Sequence, residues 1–139
     1  CILCMRSKAG NLEDITDLSG LGRNNPLLAL ATGIFMFSMA GIPPLAGFFG
    51  KFYIFLAAID AELYVLAIIG VLSSVVGAYY YLRIVKIMYF DKPEEAFERG
   101  LGFEMKLTIT FAAVFTLFFV FYTSPFVEGA QTAAAALLQ

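Results

Sequence analysis

Long uncharged stretches alternate along this chain with short segments that hold most of its charge. Pro26–Gly50, Leu63–Leu82 and Leu107–Val127 contain no Asp, Glu, Lys or Arg. A run of about 18 or more apolar residues reads as a membrane span. The pattern predicts an all-α fold, a polytopic transmembrane helix bundle with one discontinuous helix. Residues 1–5 read as the end of a preceding span and 6–25 as a connector. Residues 26–59 form the broken span, 62–90 the next and 106–123 the last. Residues 91–105 make a charged loop, and 124–139 a C-terminal tail.

Within the connector, Leu12, Ile15, Leu18 and Leu21 recur every third residue, with Glu13, Asp14 and Asp17 between them. That spacing predicts a short amphipathic helix. It is too acidic for a lipid-binding helix, which favours docking on the bundle itself or a neighbour. Asn25-Pro26 suits a helix start, because Asn can cap it and Pro at the first position loses no needed hydrogen bond. Gly41 and Pro43-Pro44 stop that helix. A second helix is expected from Leu45 or Gly47 to Ile59.

Charge placement bears on whether 26–59 crosses once or twice. Arg6, Lys8 and Arg23 lie in one connector, and Lys92, Arg99 and Lys106 in the other. The turn Asp60-Ala61-Glu62 and the tail after Tyr122 carry no basic residue. One interrupted span puts both basic segments on the same side and satisfies the positive-inside rule; two spans split them. A single discontinuous span is therefore expected. In the following span, Tyr79, Tyr80 and Tyr81 with Arg83 and Lys86 suit an interfacial belt with snorkelling cations. Gly70/Ser74 and Ser73/Gly77 are small pairs suited to close helix packing. Ser124-Pro125 can start a short terminal helix through Ala133–Ala136.

Composition agrees with the pattern. Hydrophobic residues make up 60% of the chain and charged residues 14%, with a mean hydropathy of +0.83, outside the range of an ordinary soluble domain. A net charge of −2 and a pI near 5 leave no basic stripe to neutralise phosphates, so no nucleic acid partner is expected. There is no histidine, the commonest metal ligand and general base. Cys1 and Cys4 form a lone C-x-x-C in an apolar segment and read as ordinary helix residues. No metal or cofactor is expected. The start has no initiator Met or basic leader, and the chain is expected to be the C-terminal part of a longer polypeptide.

The candidate chemistry is Lys51, which follows the broken segment within an otherwise uncharged run from Pro26 to Ile59. An intramembrane lysine costs about 2.5–3.5 kcal/mol on insertion scales and is a functional candidate by default. It stands about 12 Å of helical rise from Ile59, near the middle of a core about 30 Å thick. Low dielectric disfavours a charged amine, so a lysine there can be made to accept and release a proton. A break in a span is tolerated only inside protein or beside a wet cavity, and transporters build sites at such breaks. Gly41, Pro43, Pro44, Gly47 and Gly50 are the candidate break residues. Asp60 is a possible exit-side acid, although a solvated turn is the plainer reading. Silent pairing or snorkelling of Lys51 is the alternative to a relay.

The run Met39-Ala40-Gly41-Ile42-Pro43-Pro44-Leu45-Ala46-Gly47-Phe48-Phe49-Gly50-Lys51-Phe52-Tyr53 resembles the signature of the antiporter-like membrane subunits of respiratory complex I. Its Gly-Lys-Phe-Tyr ending is similar to the N-type subunits; the L and M types diverge after Gly-Phe-Phe. The resemblance extends through Asp17-Leu18-Ser19-Gly20-Leu21-Gly22 and Tyr79-Tyr80-Tyr81-Leu82-Arg83, and is weakest at the C-terminal end. It implies a larger bundle of which this chain holds the final portion. Pro26–Ile59 would be the discontinuous helix of the second proton half-channel, with Lys51 as its key lysine. Upstream relay residues would precede Cys1. The resemblance also implies a bacterial or mitochondrial inner membrane, the lipid bilayer and other complex I membrane subunits as partners, and flavin, iron–sulfur clusters and quinone handled by other subunits. Two rival expectations are a subunit of a multisubunit cation/proton antiporter and a structural membrane bundle without transport.

Overall fold

A computed structural model of the chain describes residues 6–7, 10–11, 15–92 and 102–137. Arg6–Ser7 (β1) and Gly10–Asn11 (β2) form a two-residue antiparallel pair. The other regular elements are helical. A 3₁₀ turn at Ile15–Leu18 leads to α1 (Leu21–Asn24), α2 (Pro26–Ala40), α3 (Ala46–Asp60) and α4 (Tyr64–Phe90). After the segment 93–101 come α5 (Phe103–Phe118), a second 3₁₀ turn at Phe119–Tyr122, and α6 (Thr123–Leu137). The expectations for Cys1–Met5, for Lys8, for Leu12, Glu13 and Asp14, and for Arg99 lie outside the described residues.

Over residues 15–24 the connector is a 3₁₀ turn followed by a short helix rather than one continuous amphipathic helix. Its apolar positions Leu18 and Leu21 are buried, at 5% and 0% exposure, against the bundle. Gly20 breaks the helical run in the left-handed region at φ 70°, which separates the 3₁₀ turn from α1. The core gathers where α2 meets the second half of α4: Leu28, Ala29 and Met36 pack with Ile84, Val85 and Met88, and Leu18 and Leu21 close the end.

α4 runs antiparallel along both α2 and α3. The Tyr89 ring lies beside Gly33 of α2, Tyr81 and Phe37 flank the same core, and Phe55 of α3 lies over Gly70. The α2 contact thus lies near the C-terminal end of α4 and the α3 contact nearer its start, so the chain continues along α4 past the break. At about 22 Å each, α2 and α3 are individually short for a bilayer, whereas α4 reaches about 40 Å. Among the described residues α4 is the one helix that is long and apolar enough to cross by itself. Much of its surface is exposed and apolar, as at Val65, Val76 and Ile68.

The α3–α4 turn is tight. Glu62 takes the left-handed conformation at φ 58°, its N–H bonds the Ile59 carbonyl at 2.9 Å, and Leu63 N–H bonds Ala58 at 2.8 Å. That ending carries α4 to a start at Tyr64, two residues after the 62 expected. α5 starts at Phe103, three residues before 106, because Gly102 offers its carbonyl to Lys106 N–H at 3.1 Å and opens the helix within the charged segment. Glu104 then lies in the first turn, where an acid suits the positive end of the helix dipole. The terminal helix α6 already begins at Thr123, so Ser124-Pro125 lies in its first turn.

Candidate functional site: the lysine at the helix break

The break is a sequence of satisfied backbone groups. α2 starts on Asn25, whose side chain accepts from Leu28 N–H at 3.4 Å with Pro26 at the first helical position. It ends on Gly41, held at φ 84°. Gly41 N–H donates to Ser38 O at 3.0 Å and Ile42 N–H to Phe37 O at 3.1 Å, the two bonds of a Schellman ending. Pro43 and Pro44 follow, joined by a cis peptide bond, and the chain re-enters helix at Ala46.

A helix end leaves four carbonyls without intrahelical partners. The Schellman bonds take those of Phe37 and Ser38. The remaining two, Met39 and Ala40, accept hydrogen bonds from the Lys51 ammonium at 2.9 and 3.2 Å. Lys51 thus completes the C-cap of α2 from the second turn of α3. It places the side-chain nitrogen at the C-terminal end of α2. Among the described residues no carboxylate comes within ion-pair distance of Lys51.

Two glycines make this reach possible. A Cβ on Gly41 would stand 3.0 Å from Lys51 Cδ and 3.3 Å from Nζ. A Cβ on Gly47 would collide with the backbone carbonyl oxygen of Ser38 and stand 2.7 Å from its carbon. Gly47 N–H instead donates to Ser38 Oγ at 3.0 Å, so α2 caps the start of α3 through a side chain nine positions upstream. Gly50 stands inside α3, where an added Cβ meets nothing within 4 Å. Asp60 is the exposed last residue of α3, about 13 Å of helical rise beyond Lys51, and is not brought to it. The sequence reading missed Ser38 and the Met39–Ala40 carbonyl pair. Its one available signal was a hydroxyl, one of two in the apolar α2 with Thr32, close before the Gly-Pro break.

A broken helix inside an apolar helical bundle, with a lysine seated on the broken helix end, is the architecture of a polytopic helical membrane protein. Residues 1–77 match the family described as NADH:quinone oxidoreductase/Mrp antiporter, transmembrane, and the chain belongs to that family. It is 56% identical over 138 residues to the NADH-quinone oxidoreductase subunit N of Parvibaculum lavamentivorans, covering 99% of this chain and 29% of that protein. It is likewise 56% identical over 137 residues to subunit N of Rhodospirillum rubrum, covering 98% of this chain and 28% of the relative. A chain in the structure of respiratory complex I from Thermus thermophilus with bound aureothin superposes with a TM-score of 0.72 at 32% identity, over 80% of this chain and 26% of that one. The chain thus spans less than a third of the length of the curated relatives it matches.

Proposed function

We propose that this chain is the part of a proton-translocating membrane subunit of NADH–quinone oxidoreductase in which Lys51 takes up and passes on a proton. The observation that carries the reading is the Lys51 ammonium seated on two carbonyls at a break in an apolar span. An ammonium has three donors. Two hold Met39 and Ala40, which leaves the third for water or a group on a neighbouring helix. Loss of that third proton leaves an amine with two N–H donors, enough to keep both carbonyl bonds, and a lone pair where the proton left. The side chain can therefore cycle its proton without leaving its seat.

In this reading the subunit sits in a bacterial or mitochondrial inner membrane among other membrane subunits of the complex and lipid. Flavin, iron–sulfur clusters and quinone belong to other subunits, and quinone reduction there drives the protonation changes at Lys51. The exposed apolar faces of α4 suit lipid or neighbouring helices. The family description also covers Mrp antiporters, while the relatives named above are oxidoreductase subunits. The test is Lys51→Ala in the intact complex, reconstituted in vesicles. Proton uptake per quinone reduced is expected to fall. A normal ratio would overturn the relay, and sodium-dependent transport without quinone reductase activity would favour the antiporter.

A further inference from the structure

We propose that Ser38 is the positioning residue for Lys51. Its hydroxyl pins the first turn of α3 across the last turn of α2, and that register brings the ammonium to the Met39 and Ala40 carbonyls. The inference rests on the reading of Lys51 as the proton-carrying group. Ser38 works at the break through two atoms: its carbonyl accepts from Gly41 N–H at 3.0 Å and its Oγ accepts from Gly47 N–H at 3.0 Å. It is nearly buried, at 9% exposure, within the apolar α2.

The link from Ser38 to Lys51 is helical periodicity. Gly47 and Lys51 are four residues apart on α3 and share one face. The face drawn onto Ser38 through Gly47 is therefore the face that carries the lysine. One turn further along it, the Lys51 stem passes Gly41, which has no side chain in the way, and reaches the two carbonyls. Without the Ser38 hydroxyl, Gly47 N–H loses its side-chain acceptor at a helix start, where intrahelical acceptors are lacking. α3 is then free to tilt from α2, and the largest displacement falls on groups that must span the gap. Lys51 is the longest of these. Deletion of the hydroxyl should therefore be felt at Lys51 Nζ, although Ser38 does not touch it.

The experiment uses the intact complex in vesicles with Ser38→Ala, Ser38→Thr and Ser73→Ala. Ser73 is an exposed α4 serine that bonds only its own helix, to Gly70 O at 2.9 Å. Two quantities are read: the rate at which acetic anhydride acetylates Lys51, by peptide mass spectrometry, and proton uptake per quinone reduced. Ser38→Ala is expected to raise acetylation about two- to tenfold, the population change that one net hydrogen bond supports, and to lower the proton ratio. Ser38→Thr, which keeps the hydroxyl, is expected to restore both, and Ser73→Ala to change neither. If Ser38→Ala does not assemble, Ser38→Cys takes its place with acetylation between the parent and the expected Ala range. Parental acetylation and pumping in Ser38→Ala or its Cys substitute, or a Ser38→Thr as defective as Ser38→Ala, would overturn the proposal while leaving a defective Lys51→Ala to stand for the relay. Normal pumping by Lys51→Ala would overturn both.

Discussion

Gly47→Ala and Gly50→Ala are the same substitution three residues apart on one helix, and the geometry assigns them opposite signs. At Gly47 the new methyl would meet the Ser38 carbonyl group, with the carbon at 2.7 Å where ordinary contact begins at 3.4 Å. The obstacle is backbone, so no rotamer change relieves it, and α3 must move by about 0.7 Å or more from α2. That shift stretches the 3.0 Å Gly47–Ser38 bond past hydrogen-bond range. A part-buried donor that loses its partner costs about 1 kcal/mol, and overpacking adds about 1–3 kcal/mol. The combined penalty is about 2–4 kcal/mol. At Gly50 nothing lies within 4 Å, and replacing Gly by Ala in a helix gains about 0.5–1 kcal/mol. The assay is the amount of assembled complex surviving graded heating in detergent, compared among parent, Gly47→Ala and Gly50→Ala. Gly47→Ala should assemble poorly or lose integrity well before the parent, and Gly50→Ala should match or exceed it. Equal survival of the two variants would refute the argument that α2 and α3 touch backbone to backbone at the break.

Two other predictions concern packing along α4. A Cβ on Gly70 would stand 2.7 Å from Cε1 of the Phe55 ring, but the ring is a movable side-chain end. Gly70→Ala should cost less than about 1.5 kcal/mol, and Phe55→Leu should remove most of that cost; additivity of the two in a double-mutant cycle would deny the contact. Met88 is fully buried at the α1–α2–α4 junction, so Met88→Ala should cost about 2–5 kcal/mol, whereas Val76→Ala at 71% exposure should leave heat survival in detergent unchanged; equal losses would misplace the core.

The break was legible because its signals are local: Gly41 supplies a left-handed residue, and Pro43-Pro44 cannot continue a helix. Lys51 stood out because a lone charge in an apolar run needs an explanation. What it touches was not legible, because Met39 and Ala40 contribute backbone carbonyls, and sequence says nothing about which carbonyl a side chain reaches. Ser38 was passed over for a similar reason, since a hydroxyl in an apolar helix usually bonds its own preceding turn. Gly47 and Gly50 looked equivalent in sequence. Only the approach of α2 separates a glycine that backbone contact requires from one that faces open space. The charge count argued for one interrupted crossing; Gly33 beside Tyr89 and Phe55 over Gly70 put α2 and α3 in succession along α4.

The seat of Lys51 makes capping and proton relay separable. Arginine at this position keeps a permanent charge and has donors enough to hold the Met39 and Ala40 carbonyls, but it does not cycle its proton. The most direct measurement is therefore proton uptake per quinone reduced in vesicles carrying the intact complex with Lys51→Arg. The account predicts an assembled complex whose proton ratio falls below the parent's. A Lys51→Arg complex that pumps at the parental ratio would contradict it, and would reduce Lys51 to a helix cap.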